Sequence, residues 1–152
     1  MAWGGSGLFV SNIIDVLDAS QLPIDLSLTT NKVALFDNTI TPNYDVAAAS
    51  AAYAAGVWAG GEASGAGYSA GGIVVASPTL TGASGIMTFD MADTSWTSST
   101  ITSARGALFY QNALTPKAAI CAIDFASAYS TVNGTFLITW NALGVFTIDL
   151  VP

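Results

Sequence analysis

Short runs rich in β-branched and aromatic residues follow one another through the second half of the chain, and this pattern limits the possible folds most strongly. Roughly eight such runs recur at the 8–12-residue spacing that is typical of β-sandwiches and barrels. They lie at 73–75, 85–90, 94–96, 97–102, 107–110, 119–125, 135–140 and 144–150. Because helices do not alternate with these strands, a parallel α/β sheet is not expected. We predict a mainly β fold, an antiparallel β-sandwich or flattened barrel, in one β-rich domain over residues 1–152.

The last two runs alternate between apolar and other residues, as a half-buried strand does. Phe136 and Ile138 fall on one face of the first run, and Phe146 and Ile148 fall on one face of the second. We expect these four side chains to be buried together. The segment 141–144 between the runs contains turn-forming residues and predicts a hairpin that joins the two strands.

The first quarter of the chain predicts an N-terminal arm and helix, within residues 1–25, followed by a strand at 32–37. Ser6 is a candidate N-cap for a helix over 6–19, and Pro23 closes the segment. Apolar residues recur there at three- and four-residue steps, at Leu8, Phe9, Ile13, Val16 and Leu17. We expect this apolar stripe to pack against a sheet or a neighbouring subunit, because so short a helix needs tertiary contacts to persist.

Two segments of unusual composition follow. Residues 46–59 are rich in alanine, the best helix former, and predict a short helix. Residues 60–72 contain six glycines and predict a loop that serves as a flexible arm. We expect this loop and residues 1–5 to be mobile in a free subunit and ordered in an assembly, because ordering glycine-rich backbone is entropically costly.

The composition argues against catalysis and against nucleic-acid binding. The chain has no histidine and only three basic residues, and its net charge is -7. Histidine is the usual group that titrates near pH 7, and a nucleic-acid reader needs a basic surface. We therefore expect no enzymatic activity, no catalytic or metal-binding residues, no cofactor and no nucleic-acid partner. No apolar run is long enough for a transmembrane helix, so no membrane partner is expected either.

The scarcity of charge itself indicates how the chain is used. Only 9% of its residues are charged, whereas 52% are hydrophobic. Interface cores are depleted in charge because desolvating a charge is unfavourable, so one interpretation is a subunit whose faces are buried in a large assembly. The alternative is a low-charge secreted domain. The N-terminus has no basic segment before an apolar one, which favours synthesis in a cytoplasm without a secretory signal.

Two features of the sequence could carry chemistry, and each also fits a simpler structural role. Asp90 and Asp93 could bind calcium or form the acid pair of a glycoside hydrolase, but neither sequence pattern is complete, and hydrogen bonds in turns are the commoner role. Whether this pair binds calcium stays open at this point. The lone Cys121 lies in an apolar run, which predicts a small buried hydrophobic residue.

Four residues are candidates for contacts between subunits. Trp3 and Trp58 lie in poorly patterned segments rich in glycine and alanine, where an aromatic ring could fill a partner's pocket. Tyr68 lies in the glycine-rich loop and could be buried against a neighbour. Arg105 is the only arginine, and we expect it to pair with a carboxylate, either within the subunit or across an interface.

The remaining two tryptophans have a different expected role. Trp96 and Trp140 lie in the β-rich region, and the patterning there favours core positions.

Several segments, in this order, resemble a group of small structural proteins of tailed bacteriophages. Members of that group commonly show G-Y-x-A-G-G, then F-D-x-x-D-x-x-W-x-x-S-T-I-T-A-R and an apolar strand ending in tyrosine. The matching segments here are 32–36, 41–43, 67–72, 87–110, 122–125, 136–140 and 144–146. One departure is Ser103, which stands between Thr102 and Ala104 where the group has Thr-Ala-Arg directly. The resemblance covers most of the chain from about residue 30.

The resemblance implies a non-enzymatic virion protein, made in the cytoplasm of a bacterial host. We expect it to decorate or cement the capsid exterior, with the major capsid protein or other virion proteins as partners. Such a protein gains affinity from many copies, and a homo-oligomer, with a trimer as the expected form, suits the symmetry of a capsid. The alternative is a minor tail or fibre protein that binds the host surface, with a glycan as the candidate ligand.

Overall fold

The computed structural model describes residues 3–18 and 23–151, except for the side chains of Asp15 and Asp18. Within these ranges the elements, in chain order, are β1 (Gly7–Leu8), α1 (Val10–Asp18), β2 (Lys32–Phe36), a 3-10 helix (Gly56–Ala59), β3 (Ile73–Val74), β4 (Thr79–Ala83), β5 (Ile86–Asp90), β6 (Thr94–Ser99), β7 (Ala104–Tyr110), β8 (Ala119–Tyr129), β9 (Gly134–Ile138) and β10 (Phe146–Asp149). The predicted mainly β fold is confirmed: antiparallel sheets pack in a sandwich-like arrangement and do not close into a barrel.

The strands form three sheets. The largest has the order β1-β8-β7-β2-β3, the second has the order β10-β5-β4, and the third consists of β6 and β9. The predicted hairpin between the last two strands is therefore wrong, because β9 pairs with β6 whereas β10 pairs with β5. Residues 141–144 do form a turn, in which the Gly144 N–H donates to the Asn141 carbonyl at 2.8 Å, but the turn leads from one sheet to another.

The five-stranded sheet is buried on both faces, because its central strands are almost continuously apolar. In β2, Val33 and Leu35 point into one hydrophobic cluster, and Ala34 and Phe36 point into another. The first cluster includes aromatic rings from the two smaller sheets. The second includes rings from the N-terminal segment and from the loop region around the 3-10 helix. The sheet is thus the middle layer of the molecule.

The chain enters this middle layer before the helix begins. Gly7 and Leu8 pair with Ala122 and Cys121 of β8, so the helix begins at Val10 rather than near residue 6. Ser6 is not an N-cap: its hydroxyl accepts a hydrogen bond from the Asp124 N–H at 2.9 Å. The helix predicted for 6–19 therefore exists but is shorter at its start.

The helix packs through a polar residue as well as an apolar one. Phe9, just before it, is fully buried, and the Asn12 side-chain amide donates to the carbonyls of Ala51 and Ala119 at 2.9 and 2.6 Å. Val16 and Leu17 do not pack against a sheet of the chain, since 41% and 81% of their surfaces are exposed, and their packing against a neighbouring subunit stays a prediction. No helix in the described ranges is long and apolar enough to span a membrane.

The alanine-rich segment does not form the predicted helix. Residues 46–55 run through turns and a bridge, and only the 3-10 helix Gly56–Ala59 follows. Ala52 forms an antiparallel bridge with Ala118, and the Tyr53 N–H donates to the Lys117 carbonyl at 2.9 Å. Pairing with the start of β8 thus outweighs the small helix preference of alanine.

Candidate interaction surfaces

The glycine-rich loop is ordered by a cluster of hydrogen bonds around one carboxylate. Glu62 accepts from the Tyr53 and Tyr68 hydroxyls at 2.7 and 2.8 Å and from the Gly71 N–H at 2.6 Å. Backbone hydrogen bonds also tie Gly61 and Ala63 to the chain around β2. Intrachain hydrogen bonds thus hold the loop against the chain around β2 without a neighbour, and its mobility in a free subunit stays a prediction.

The tyrosines of this cluster act as neutral donors. Burial raises the pKa of Tyr53 to about 12, and the hydrogen bond to Glu62 adds to the shift. Burial also raises the pKa of Tyr68 and of Tyr110 well above the ordinary value. The Tyr110 hydroxyl donates to the Gly71 carbonyl at 2.8 Å, and its ring stacks on Tyr53 with centroids 4.6 Å apart. The arrangement positions the loop through hydrogen bonds, and its phenols stay protonated near neutral pH.

Tyr68 lies inside this cluster rather than at a free surface. Its hydroxyl accepts from the Leu35 N–H at 2.9 Å while it donates to Glu62, and its half-buried ring lies 5.9 Å from Trp96. Neither Glu62 nor Tyr53 was a candidate from the sequence. A lone acid in a glycine-rich loop is the one signal that could have found Glu62, because a charge with few charged neighbours needs hydrogen-bond donors.

Trp3 and Trp58 lie in the core. They are only 5% and 2% exposed, and their rings meet edge to face with centroids 5.8 Å apart. Trp58 also contacts Phe9 and Phe36, and the Trp3 indole N–H donates to the Asp37 carbonyl at 3.0 Å. Because almost none of either ring is exposed, a partner could not contact them. Both residues belong to the second hydrophobic cluster rather than to an interface. Poor sequence patterning misled here because the cluster is built from loops.

Arg105 forms an ion pair within the chain. Its guanidinium Nη1 lies 2.6 Å from the Asp124 Oδ1, and Nη2 donates to Oδ2 at 3.3 Å. The two side chains come from the neighbouring strands β7 and β8. Of the two expected arrangements, the structure shows the one inside the subunit.

The two aspartates considered as a calcium site have separate roles. Asp90 accepts from the Met91 N–H at 2.9 Å, and Asp93 accepts from the Trp140 N–H at 3.0 Å. Across the described residues there is no group of three or more histidine, cysteine or acidic side chains that could hold a metal ion.

Of the three side chains predicted to be buried in the β-rich region, two are buried and one is not. Cys121 is buried, as expected, and burial raises the pKa of its thiol to about 12. Trp96 is 3% exposed and belongs to the first cluster, whereas Trp140 is only half-buried at the edge of that cluster.

A groove of about 470 Å³ runs between the end of β8 and the strand β9. Consecutive residues 135–139 line it, so the groove follows the edge of β9 rather than one face. Phe125 and the half-exposed Tyr129 form the opposite wall. The lining contains no charged residue but several hydroxyl groups. Such a surface suits an uncharged ligand or a neutral segment of a partner protein.

The three-stranded sheet carries an apolar face that the rest of the chain covers only in part. Register places Leu80, Phe89 and Phe146 in one row across this face. Phe89 is fully buried and stacks on Phe109, whereas Leu80 on β4 is 48% exposed. The face is thus closed at its centre and open toward β4, whose five residues are all exposed. This open apolar edge is a candidate interaction surface.

Comparison with known protein families, with curated proteins and with solved structures found no match to this chain.

Proposed function

We propose that the chain is a non-enzymatic structural protein of a virion that decorates or cements the exterior of a capsid. The observation that carries the proposal is the apolar face of the sheet β10-β5-β4, which stays open at β4 in a chain with very little charge. The resemblance of the ordered segments between residues 32 and 146 to phage structural proteins supports the same role.

The open sheet is one of several exposed apolar areas. Val10, Ile14 and Leu17 lie along one side of α1 and are between 46% and 81% exposed. With only 9% of its residues charged, the chain has little charged surface that would have to be desolvated when a partner covers these areas. Copies joined in an oligomer bind a lattice strongly even when each apolar contact is modest, because the first contact raises the effective concentration of the others.

The partner in this proposal is the major capsid protein or another virion protein. The chain needs no titrating group for such a role, and its ordered polar groups, the Glu62 cluster and the Arg105–Asp124 pair, serve its own fold. We propose that it acts in the virion as a homo-oligomer.

A second candidate function is a minor tail or fibre protein that binds a host-surface glycan. The groove along β9 favours it, because the exposed ring of Tyr129 lies beside the hydroxyls of Thr131 and Thr135. Aromatic rings and hydroxyl groups are the side chains that bind uncharged sugars through stacking and hydrogen bonds. This role would leave the sheet face free for attachment to the particle.

Immunogold labelling of purified virions tests the location directly. A capsid protein places the label over the head, whereas a tail or fibre protein places it at the tail. Particles that carry no label, together with a purified chain that binds neither heads nor tails, would contradict both functions. Host-cell binding by Tyr129→Ala, compared with Val132→Ala at a nearby exposed position, tests the glycan role: only the tyrosine change should weaken it.

A further inference from the structure

The turn between β4 and β5 determines which backbone groups of β4 point outward. Ser84 and Gly85 have φ values of 52° and 79° and form a two-residue hairpin connection. In such hairpins the residues that flank the turn, here Ala83 and Ile86, exchange hydrogen bonds, and every second pair after them does the same. Thr81 is thus bonded to Thr88, and the pairs that contain Leu80 and Gly82 are not bonded.

The other side of β5 is consistent with this assignment. The Phe89 carbonyl accepts from the Val145 N–H at 2.8 Å and therefore points away from Leu80, its partner on β4. The N–H and C=O groups of Leu80 and Gly82 consequently lie at the outer edge of β4. This edge has no strand beside it in the part of the chain that the structure describes.

The edge has none of the usual protection against pairing. Edge strands of monomeric proteins commonly carry lysine, proline or a bulge that prevents another strand from adding. β4 has the sequence Thr-Leu-Thr-Gly-Ala, pairs with β5 in unbroken register, and is exposed along its whole length. Pro78 lies just before it and leaves the five residues free to pair.

We propose that β4 pairs with β4 of a second copy, antiparallel about a two-fold axis at Thr81, and that this dimer is the assembly unit of the function proposed above. In this register Leu80 of one copy lies opposite Gly82 of the other. Both residues direct their backbone groups outward, so the two Leu80–Gly82 pairs form four hydrogen bonds between the copies. The three-stranded sheet of each copy then continues into one sheet of six strands.

The side chains fit the same register. Leu80 lies on the open apolar face, and it meets a glycine of the second copy, whose missing side chain leaves room for it. Beyond that glycine lies Met87 of the same copy, which is half-buried on the same face. The dimer therefore covers Leu80 of each copy, and the contact with the capsid then falls to the exposed apolar side of α1 at Val10, Ile14 and Leu17.

No charged side chain lies on β4 itself, so charges act on this dimer only from neighbouring strands and from the rest of each copy. The closest carboxylate in the sheet register is Asp90, which lies opposite Thr79 on β5, one strand away from the interface. Since each copy has a net charge of -7, repulsion between the copies weakens as salt screens it. The dimer should strengthen as salt is added, whereas an interface held by ion pairs would weaken.

Opposite charges at the two-fold position provide the test. In the proposed register residue 81 faces itself, so Thr81→Lys and Thr81→Glu each place two like charges side by side, and we expect the dimer dissociation constant to rise on the order of tenfold or more. An equimolar mixture of the two variants should restore dimers, because unlike charges then face each other. Thr147 on β10 is exposed on the same face of the sheet as Thr81 but lies two strands away from the interface. Thr147→Lys should therefore leave the dimer unchanged.

Light scattering after size-exclusion chromatography, together with native mass spectrometry of the mixture, measures these outcomes on the full chain. A wild-type monomer, a trimer, or a dimer that both Thr81 variants preserve would overturn the pairing. A mixture that fails to dimerise after each variant has lost the dimer would overturn it as well. If virions contain the chain but it does not dimerise through β4, the pairing fails and the proposed function stands. If the chain dimerises through β4 but is absent from virions, the proposed function fails and the pairing stands.

Discussion

At the scale of single residues, the Glu62 cluster shows how a chain with few charges uses one of them. Three donors converge on this carboxylate, and two of them are hydroxyls of half-buried tyrosines. Removing one partner from such a network leaves the others unsatisfied, which costs more than the net value of the bond itself.

Tyr68→Phe should therefore destabilise the fold. The change leaves the Leu35 N–H without its acceptor and leaves Glu62 Oε1 with the Gly71 N–H as its remaining donor, and we expect a loss of about 1–3 kcal/mol in the free energy of unfolding. Denaturant unfolding measures it. The matched control is Tyr129→Phe, at a tyrosine that is 53% exposed, where the change should stay within about 0.5 kcal/mol. Equal effects at both positions would show that the cluster adds no stability.

The pKa shifts of the tyrosines predict a loss of stability at high pH. Burial raises the pKa of Tyr44 and of Tyr53 from 10.0 to about 12, so each holds its proton more tightly in the folded chain. A pKa raised by folding adds stability that is fully present below the unfolded value and is lost as pH rises through the folded value. Stability should fall between about pH 10 and about pH 12.

Denaturant midpoints measured across this range test the direction. Tyr53→Phe removes one titrating group and should make the decline with pH shallower than in the wild type, whatever its effect at pH 7. The explanation fails if the wild-type midpoint is constant over the range or if the variant declines just as steeply.

At the scale of elements, the alternation of apolar residues predicted which faces are buried but did not predict the pairing of the strands. Phe136 and Ile138 are buried, whereas Phe146 and Ile148 are only half-buried and lie on another sheet, so the prediction that all four are buried together is wrong. A period of two determines the face of a strand, whereas the partner of a strand depends on contacts distant in sequence. The short connection at 141–144 therefore suggested a hairpin that does not form.

Local propensity was least informative where tertiary contacts oppose it. Strand β4 was missed, although Thr79, Leu80 and Thr81 alternate between a proline and a Ser-Gly turn, because the run is short and only half apolar. The alanine-rich segment has a helix propensity, but this preference amounts to fractions of a kcal/mol per residue. The bridge between Ala52 and Ala118, beside β8, outweighs it, so the predicted helix does not form.

Phe136→Ala tests the core beneath β9. Phe136 is 6% exposed, and its ring contacts Trp96 at 6.0 Å and Phe125 at 6.1 Å between centroids. Truncation of a core phenylalanine should cost about 3–5 kcal/mol in the free energy of unfolding. Leu137→Ala, at the next residue on the exposed face, is the control and should have a small effect. A cost under about 1 kcal/mol for Phe136→Ala would mean that this face is not packed as described.

At the scale of the whole molecule, the sheet buried on both faces explains why the N-terminal segment is part of the domain. Trp3 and Phe9 belong to the cluster on one side of that sheet, and the smaller sheets cover the other side. The prediction that residues 1–5 form an arm ordered only in an assembly therefore does not hold for Trp3. Exposed apolar side chains lie on α1 and on the sheet that contains β4, and also beside the groove along β9, at Tyr129, Val132 and Leu137.

Composition does not show where the open surfaces of the chain lie. The low fraction of charge predicts faces that a partner covers, which stays a prediction, and local patterning indicates four candidate residues. The structure places all four in intrachain contacts and leaves open the edge of β4, where no residue is charged or large enough to draw attention in the sequence.

Binding of the purified chain to particles that lack it tests the central claim, that this is an assembly protein of the virion. Cosedimentation with heads and, separately, with tails is measured as a function of chain concentration. We expect saturable binding to heads with many copies per particle, and particles that resist heat or dilution better once saturated. Absence of binding to heads at concentrations where the chain is folded would contradict the proposed role.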